Sequence, residues 1–384
     1  MNWLRDNILK ILIILGVTIL VVVLIVVFAK PKGESIESAA KYGELETKLQ
    51  NAAIKYSKRN KSVLPKTTDN VATITLETLE KNNYIGKLVA VEDNNVKCSG
   101  YVEVAKISEK ENSYRYTPYI SCDKYYVTKT IGDYIIDSET KNGEFDRQVD
   151  DGLYKMGEEY IYRGEKPNNY IMLDSHLYRI IKIDSDKSLE LISVDRTYQH
   201  YIWDDRYNID RNMNNGINNF LKSRLYESLD FLYKNTDEDK GEIFFSSEEK
   251  NYIIDHDFCI GKRAFSDGSI YSGAECKETA SLMVGLISLN EYSRASIDPN
   301  CKSVFDKSCA NYNYFITLGD RDDYTYLTLT AVADNTYQYF RIGYGEVTET
   351  VATTGAMLYP VIYISNRTIY SSGTGTVLDP YVVR

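Results

Sequence analysis

The sequence predicts an α+β protein with one N-terminal transmembrane helix. That helix continues into a long helix laid on an antiparallel sheet, and a larger, loop-rich, mostly β domain with a few helices follows. Three observations predict this. An uncharged apolar run lies near the start. An amphipathic helical stripe comes next. Short strand-like runs bounded by turn residues fill much of the remainder.

Residues 1–10 read as a short cytoplasmic tail and 11–29 as the transmembrane helix. Ile11 to Ala29 runs ILIILGVTILVVVLIVVFA without a charge. Nineteen residues at about 1.5 Å each give roughly 28 Å, close to the hydrocarbon thickness of a bilayer. A signal peptide has a shorter apolar region, ~7–15 residues, so a retained anchor is expected. Arg5 and Lys10 precede the span, and Lys30, Lys32 and Lys41 follow it, so flanking charge does not orient it. The large body after the span is expected outside the cell, on the strength of its cysteines.

Those six cysteines, Cys98, Cys122, Cys259, Cys276, Cys301 and Cys309, all follow the span. An even count on one side of a membrane points to an oxidising space. Their grouping suggests Cys98–Cys122, Cys259–Cys276 and Cys301–Cys309. No C-x-x-C occurs, and the one close His and Cys pair is His256 and Cys259, so no metal site is expected. No cofactor is expected either.

The first domain is expected over 30–130. Ile36, Ala39, Ala40, Leu45, Leu49, Ala52, Ala53 and Tyr56 recur at three- and four-residue steps, which predicts a helix over 33–60 ended by Pro65. Thr75 to Tyr84 predicts a short helix with Thr75 as cap. Tyr101–Ile107, Tyr114–Ser121 and Tyr125–Thr130 read as strands. The second domain is expected over 131–384. Tyr170–Leu173, His176–Ile183 and Leu189–Val194 read as a meander. Ile217, Phe220, Leu221, Leu225, Leu229 and Leu232 fit a helix. Ser246 with Glu249, and Ser288 with Glu291, stand at capping-box spacing. Val361–Ser365 reads as a strand.

Charge and composition narrow the function. With 45 basic and 55 acidic residues the formal net charge is −10, a sign that repels nucleic acid, so no nucleic-acid partner is expected. Tyrosine is unusually common, 34 copies against 11 Phe and 2 Trp. Its apolar ring and polar tip suit half-buried strands and binding surfaces.

Two resemblances carry further expectations. An apolar helix running into an amphipathic one, then ITLETLEKNNYIGKL, Cys98-Ser99-Gly100-Tyr101-Val102 and Tyr119-Ile120-Ser121-Cys122, resembles pilin-like proteins of Gram-positive bacteria over roughly residues 8–130. That resemblance implies export and a long helix packed on a small sheet. No Gly precedes the span and no Glu lies in it, which separates the chain from processed pilins. Over about 160–384, Asn168-Asn169-Tyr170, Tyr178-Arg179-Ile180-Ile181, the run Val284–Tyr292, Tyr326–Thr330 and Pro360-Val361-Ile362-Tyr363 resemble an uncharacterised surface-protein domain of Gram-positive bacteria. This second resemblance implies architecture and no reaction.

No catalytic residue is expected. The histidines His176, His200 and His256 lack a nucleophile motif nearby. The acidic run 237–242 has Gly241 at the fifth position of a calcium loop, which fails that pattern. Trp203, Asp204, Arg206 and Tyr207 place aromatics beside acids and a cation, a combination that suits sugar or peptide binding. The loop of Asp320, Asp322 and Asp323 is the second candidate contact. The expected function is therefore that of a membrane-anchored, extracellular, non-enzymatic binding or adhesion protein, whose ligand is a glycan, a peptide or another surface protein. The rivals are a pilin-like structural subunit, or accessory of a secretion or fibre system, and a surface hydrolase using paired carboxylates ~5–9.5 Å apart.

Overall fold

The computed structural model describes residues 36–68, 70–107, 113–140, 150–194, 198–237, 239, 243–318 and 325–384. The tail 1–10, the apolar run 11–29 and the loop of Asp320, Asp322 and Asp323 lie outside them.

Two hydrophobic cores divide the described chain. The first contains Tyr42, Leu49, Ala53, Ile74, Leu79, Val102, Val104 and Ile120. Its helix α1 (Ile36–Arg59) packs on β3 (Tyr114–Ser121). The three- and four-residue spacing of Tyr42, Leu45, Leu49, Ala52, Ala53 and Tyr56 puts them on one face. Each fully buried large apolar side chain stabilises this packing by about 1.5–3 kcal/mol. The sheet is antiparallel in the order β1 (Val71–Thr75), β2 (Ser99–Lys106), β3. In β2, a Cβ on Gly100 would stand 2.6 Å from Tyr119 O and 3.3 Å from the Leu49 side chain, so only glycine lets the helix close here. Helix α2 (Leu76–Lys81) follows β1, and the Thr75 hydroxyl accepts the Thr78 N–H at 3.2 Å. A disulfide between Cys98 and Cys122 ties the entry of β2 to the exit of β3.

The expected strand over 125–130 does not form. Thr130 instead caps α3 (Ile131–Glu139), its hydroxyl accepting the Asp133 N–H, and Ile131 and Ile135 face the second core one turn apart. That core gathers two larger sheets. The nine-stranded one runs β10 (Ile253–Ile254), β18 (Val361–Ile364), β8 (Leu189–Ser193), β7 (His176–Ile183), β6 (Tyr170–Leu173), β20 (Tyr381–Val383), β19 (Tyr370–Ser372). The hairpin of β4 (Gly152–Met156) and β5 (Glu159–Arg163) joins it through β7. The six-stranded sheet runs β16 (Glu346–Val351), β15 (Gln338–Gly343), β14 (Thr325–Val332), β17 (Ala356–Leu358), β9 (Tyr198–Tyr201), with β12 (Lys262–Arg263) beside β14. A small ladder pairs β11 (His256–Cys259) with β13 (Thr279–Leu282).

Helix α4 (Arg224–Lys234) starts later than Ile217 because the Ser223 hydroxyl caps it there. Helices α5 (Ser247–Lys250) and α6 (Leu289–Arg294) open with the reciprocal capping boxes that their sequences promise. Disulfides also join Cys259 to Cys276 and Cys301 to Cys309.

Two expectations are corrected here. The described chain is mostly β rather than α+β: beyond α1 the longest described helix has 11 residues, and strands fill stretches expected as loop. The expected single-pass membrane location is likewise not supported. Among the described residues no helix is long and apolar enough to cross a membrane. The only long one, α1, carries Lys and Glu on its outer face, as a helix lying on a sheet does.

Candidate functional site

The contact residues expected from sequence separate into core and surface. Trp203 is fully buried. Its ring stacks on Tyr339 at 5.6 Å, meets Phe220 edge-on, and donates its Nε1–H to Thr328 O at 3.0 Å. Asp204 is also fully buried and accepts backbone N–H groups from Arg206, Ile217 and Arg224. It ties the 204–217 loop to the start of α4. Neither residue can meet a ligand from solvent, which corrects their candidacy. The reason is physical: the largest apolar ring gains most inside, and a carboxylate beside unpaired N–H groups is held there by hydrogen bonds. Arg206 pairs with Glu227 at 2.8 Å, and Tyr207 is half exposed, its hydroxyl donating to Asn212. Trp203→Phe should cost about 1–3 kcal/mol through the lost hydrogen bond and unfilled volume, while Tyr207→Ala should stay within about 0.5 kcal/mol. Urea titration of both variants checks this.

A buried acid cluster does form, around Lys182, Glu190, Asp184 and Glu159, which no motif flagged. Lys182 on β7, Glu190 on β8 and Tyr363 on β18 are direct cross-strand neighbours. Lys182 Nζ lies 3.0 Å from Asp184, 3.6 Å from Glu159 and 3.9 Å from Glu190. Arg294 pairs with Glu159. His256 stacks on Tyr363 at 3.7 Å and approaches Asp184 at 3.6 Å. Glu291, the capping-box residue of α6, accepts the Ser288 N–H with one oxygen and lies against the Glu190 carboxyl. Burial first, and then the neighbouring Glu291 carboxylate, push Glu190 well above the ordinary carboxyl range. Burial raises Glu291 as well. Burial opposes the Lys182 ammonium, but Glu190, Asp184, Glu291 and Glu159 outweigh it and raise its pKa.

Two buried neighbouring carboxyl groups hold one proton between them more readily than two charges. A cavity of about 260 Å³ adjoins the cluster beside Lys182, Glu291 and the Cys259–Cys276 disulfide. Among the described residues no group of three or more His, Cys, Asp or Glu side chains could hold a metal ion.

The larger cavity, about 400 Å³, lies at the seam between the two cores. Its walls are α1 from Glu46 to Ile54, β3 from Tyr114 to Pro118, and three short pieces of the second core: Asn251-Tyr252, Arg367–Ile369 and Arg384. The seam is held by ion pairs. Arg367 Nε donates to Glu103 at 3.1 Å. Arg384 pairs with Glu46, which also accepts the Tyr126 and Thr128 hydroxyls. Gln50 donates to Tyr116 O at 2.7 Å and fixes α1 on β3. Arg115 differs from the other two arginines. It donates to the Asn251 carbonyl, and no carboxylate among the described residues pairs with it. Burial, and then the neighbouring Arg367 charge, lower its pKa below the usual arginine range.

Sequence reading missed this constellation. Arg115, Arg367 and Arg384 are far apart along the chain, and a lone Arg between Tyr114 and Tyr116 gives no charge run to notice. Fold and site define a mostly β, disulfide-bonded protein of two cores with a cationic cavity between them. No family model, no curated protein and no solved structure matches this chain, so the two resemblances rest on their quoted motifs alone.

Proposed function

We propose that this chain is a non-enzymatic binding protein that takes its ligand in the seam cavity. The observation that carries the reading is the cavity itself: about 400 Å³, between two separately packed cores, with polar and charged side chains from both walls. Clefts between packed units are favoured places for ligands, and this volume falls in the usual range of such sites. Three disulfides add support by fitting the oxidising space in which exported binding proteins work.

The test is a glycan and peptide array followed by hydrogen exchange with the best binder. Slower exchange in α1, in β3 and around 251–252 and 367–369 is the expected result. Slower exchange confined to the Arg206–Tyr207 surface would move the site there, and an empty array with no partner in crosslinking would remove the reading.

A further inference from the structure

The seam cavity points to the class of ligand, and this inference rests on the binding reading above. We infer that the cavity holds a carboxylate-bearing saccharide, its carboxylate on the Arg115 guanidinium and its ring beside the tyrosines of β3.

The charge balance of the walls comes first. Arg367 is neutralised by Glu103 and Arg384 by Glu46. Among the described residues Arg115 is left with a carbonyl and no acid, next to a second guanidinium that repels it. A half-buried cation in that position lacks the compensation that enclosed charges normally have. One charge uncompensated among the described residues matches a monovalent carboxylate. A phosphate, carrying nearly two charges at neutral pH, would leave one unmatched.

The donor geometry agrees. A guanidinium offers paired N–H groups that fit the two oxygens of a carboxylate. Among the described residues the Arg384 Nε–H, on the second-core wall of the cavity, is buried without an acceptor. That orphan donor costs stability unless something visits it.

The remaining lining favours a sugar over a simple ion. Tyr114, Tyr116 and Tyr252 bring rings, and Thr47 and Thr117 bring hydroxyls, into one enclosure. Aromatic faces pack on the C–H faces of a sugar, and hydroxyls exchange hydrogen bonds with its rim. The chain as a whole carries −10, so its outer surface disfavours acidic ligands. An acidic saccharide held here is held by the cavity alone.

The experiment titrates the full chain by calorimetry with a glucuronic acid disaccharide, its methyl ester, an acidic peptide and inorganic phosphate. The acid should bind, and the ester should bind at least about tenfold more weakly, because it keeps the shape and loses the charge-assisted pair. Arg115→Gln should lose acid binding by a similar factor, and Arg115→Lys should keep part of it, with circular dichroism confirming that both variants fold. Raising salt from about 50 to 300 mM should weaken the acid and leave the ester unchanged. If acid and ester bind alike, with the seam protected in hydrogen exchange, the carboxylate assignment falls and the binding reading stands. Unchanged acid binding by Arg115→Gln also overturns it, as does tighter binding of phosphate or of the peptide. If no probe binds and no array ligand protects the seam, both fall together.

Discussion

Arg263→Met should lower the unfolding free energy by about 3–5 kcal/mol, the cost of stranding one member of a buried ion pair. Arg263 and Glu275 are both fully buried. The guanidinium donates Nε to Glu275 at 3.0 Å, Nη1 to Ser269 O at 3.0 Å and Nη2 to Asn290 Oδ1 at 3.2 Å. The second Glu275 oxygen accepts the Asn290 N–H at 3.2 Å. Through these bonds one side chain on β12 holds the Cys276 loop and the start of α6 against the six-stranded sheet. Methionine fills much of the space and answers none of the acceptors. Replacing the partner as well, Arg263→Met with Glu275→Leu, should recover much of the loss, because no charge is then left alone. Guanidinium denaturation with the disulfides intact measures both. A single variant within about 1 kcal/mol of the parent would mean that water reaches the site.

Lys182→Met should be comparably severe, about 3–5 kcal/mol at neutral pH, and the effect should depend on pH. The lysine bridges Glu159, Asp184 and Glu190. Glu190 works in the opposite sense. Its folded pKa lies above the ordinary value of 4.5. The stability it contributes is therefore present below that ordinary value and lost as pH rises through the raised one. Glu190→Gln should stabilise the protein at pH 8 by about 1–3 kcal/mol and change little near pH 4.5, where the carboxyl already carries its proton. The double variant Lys182→Met with Glu190→Gln should lose less than Lys182→Met alone. Thermal unfolding at the two pH values decides this. A Glu190→Gln variant less stable at pH 8 than the parent would mean that its charge is fully satisfied by Lys182.

Local structure was legible where the chain announces it with periodicity or a cap. Helix α1 follows from its stripe, α2 from Thr75, the two capping boxes from Ser246 with Glu249 and Ser288 with Glu291, and the β6–β8 meander from its turns. The local cysteine pairs follow from their grouping. The β15–β16 hairpin was not legible. Its two-residue turn is Tyr344-Gly345, both at positive φ, and tyrosine in that position is a rare choice beside the usual Asn or Asp. The strand expected over 125–130 failed because Thr130 reads equally well as strand former and helix cap, and the burial of Ile131 and Ile135 decided for the cap. The sites were least legible. Trp203 was singled out for its ring, and the same ring buries it. Arg115, Glu190 and Lys182 draw their character from neighbours that lie across strands or across the seam, and no spacing along the chain encodes that.

The Cys98–Cys122 bond bears on how this protein takes mechanical load. The whole β2–β3 hairpin lies between the two sulfurs, 24 residues apart in sequence. A pull along the backbone passes from residue 98 to residue 122 directly, so roughly 80 Å of potential extension is withheld. The hairpin cannot unzip under tension while that bond stands. Tension would act instead on the pairing that holds α1 to the second core, Arg384 with Glu46.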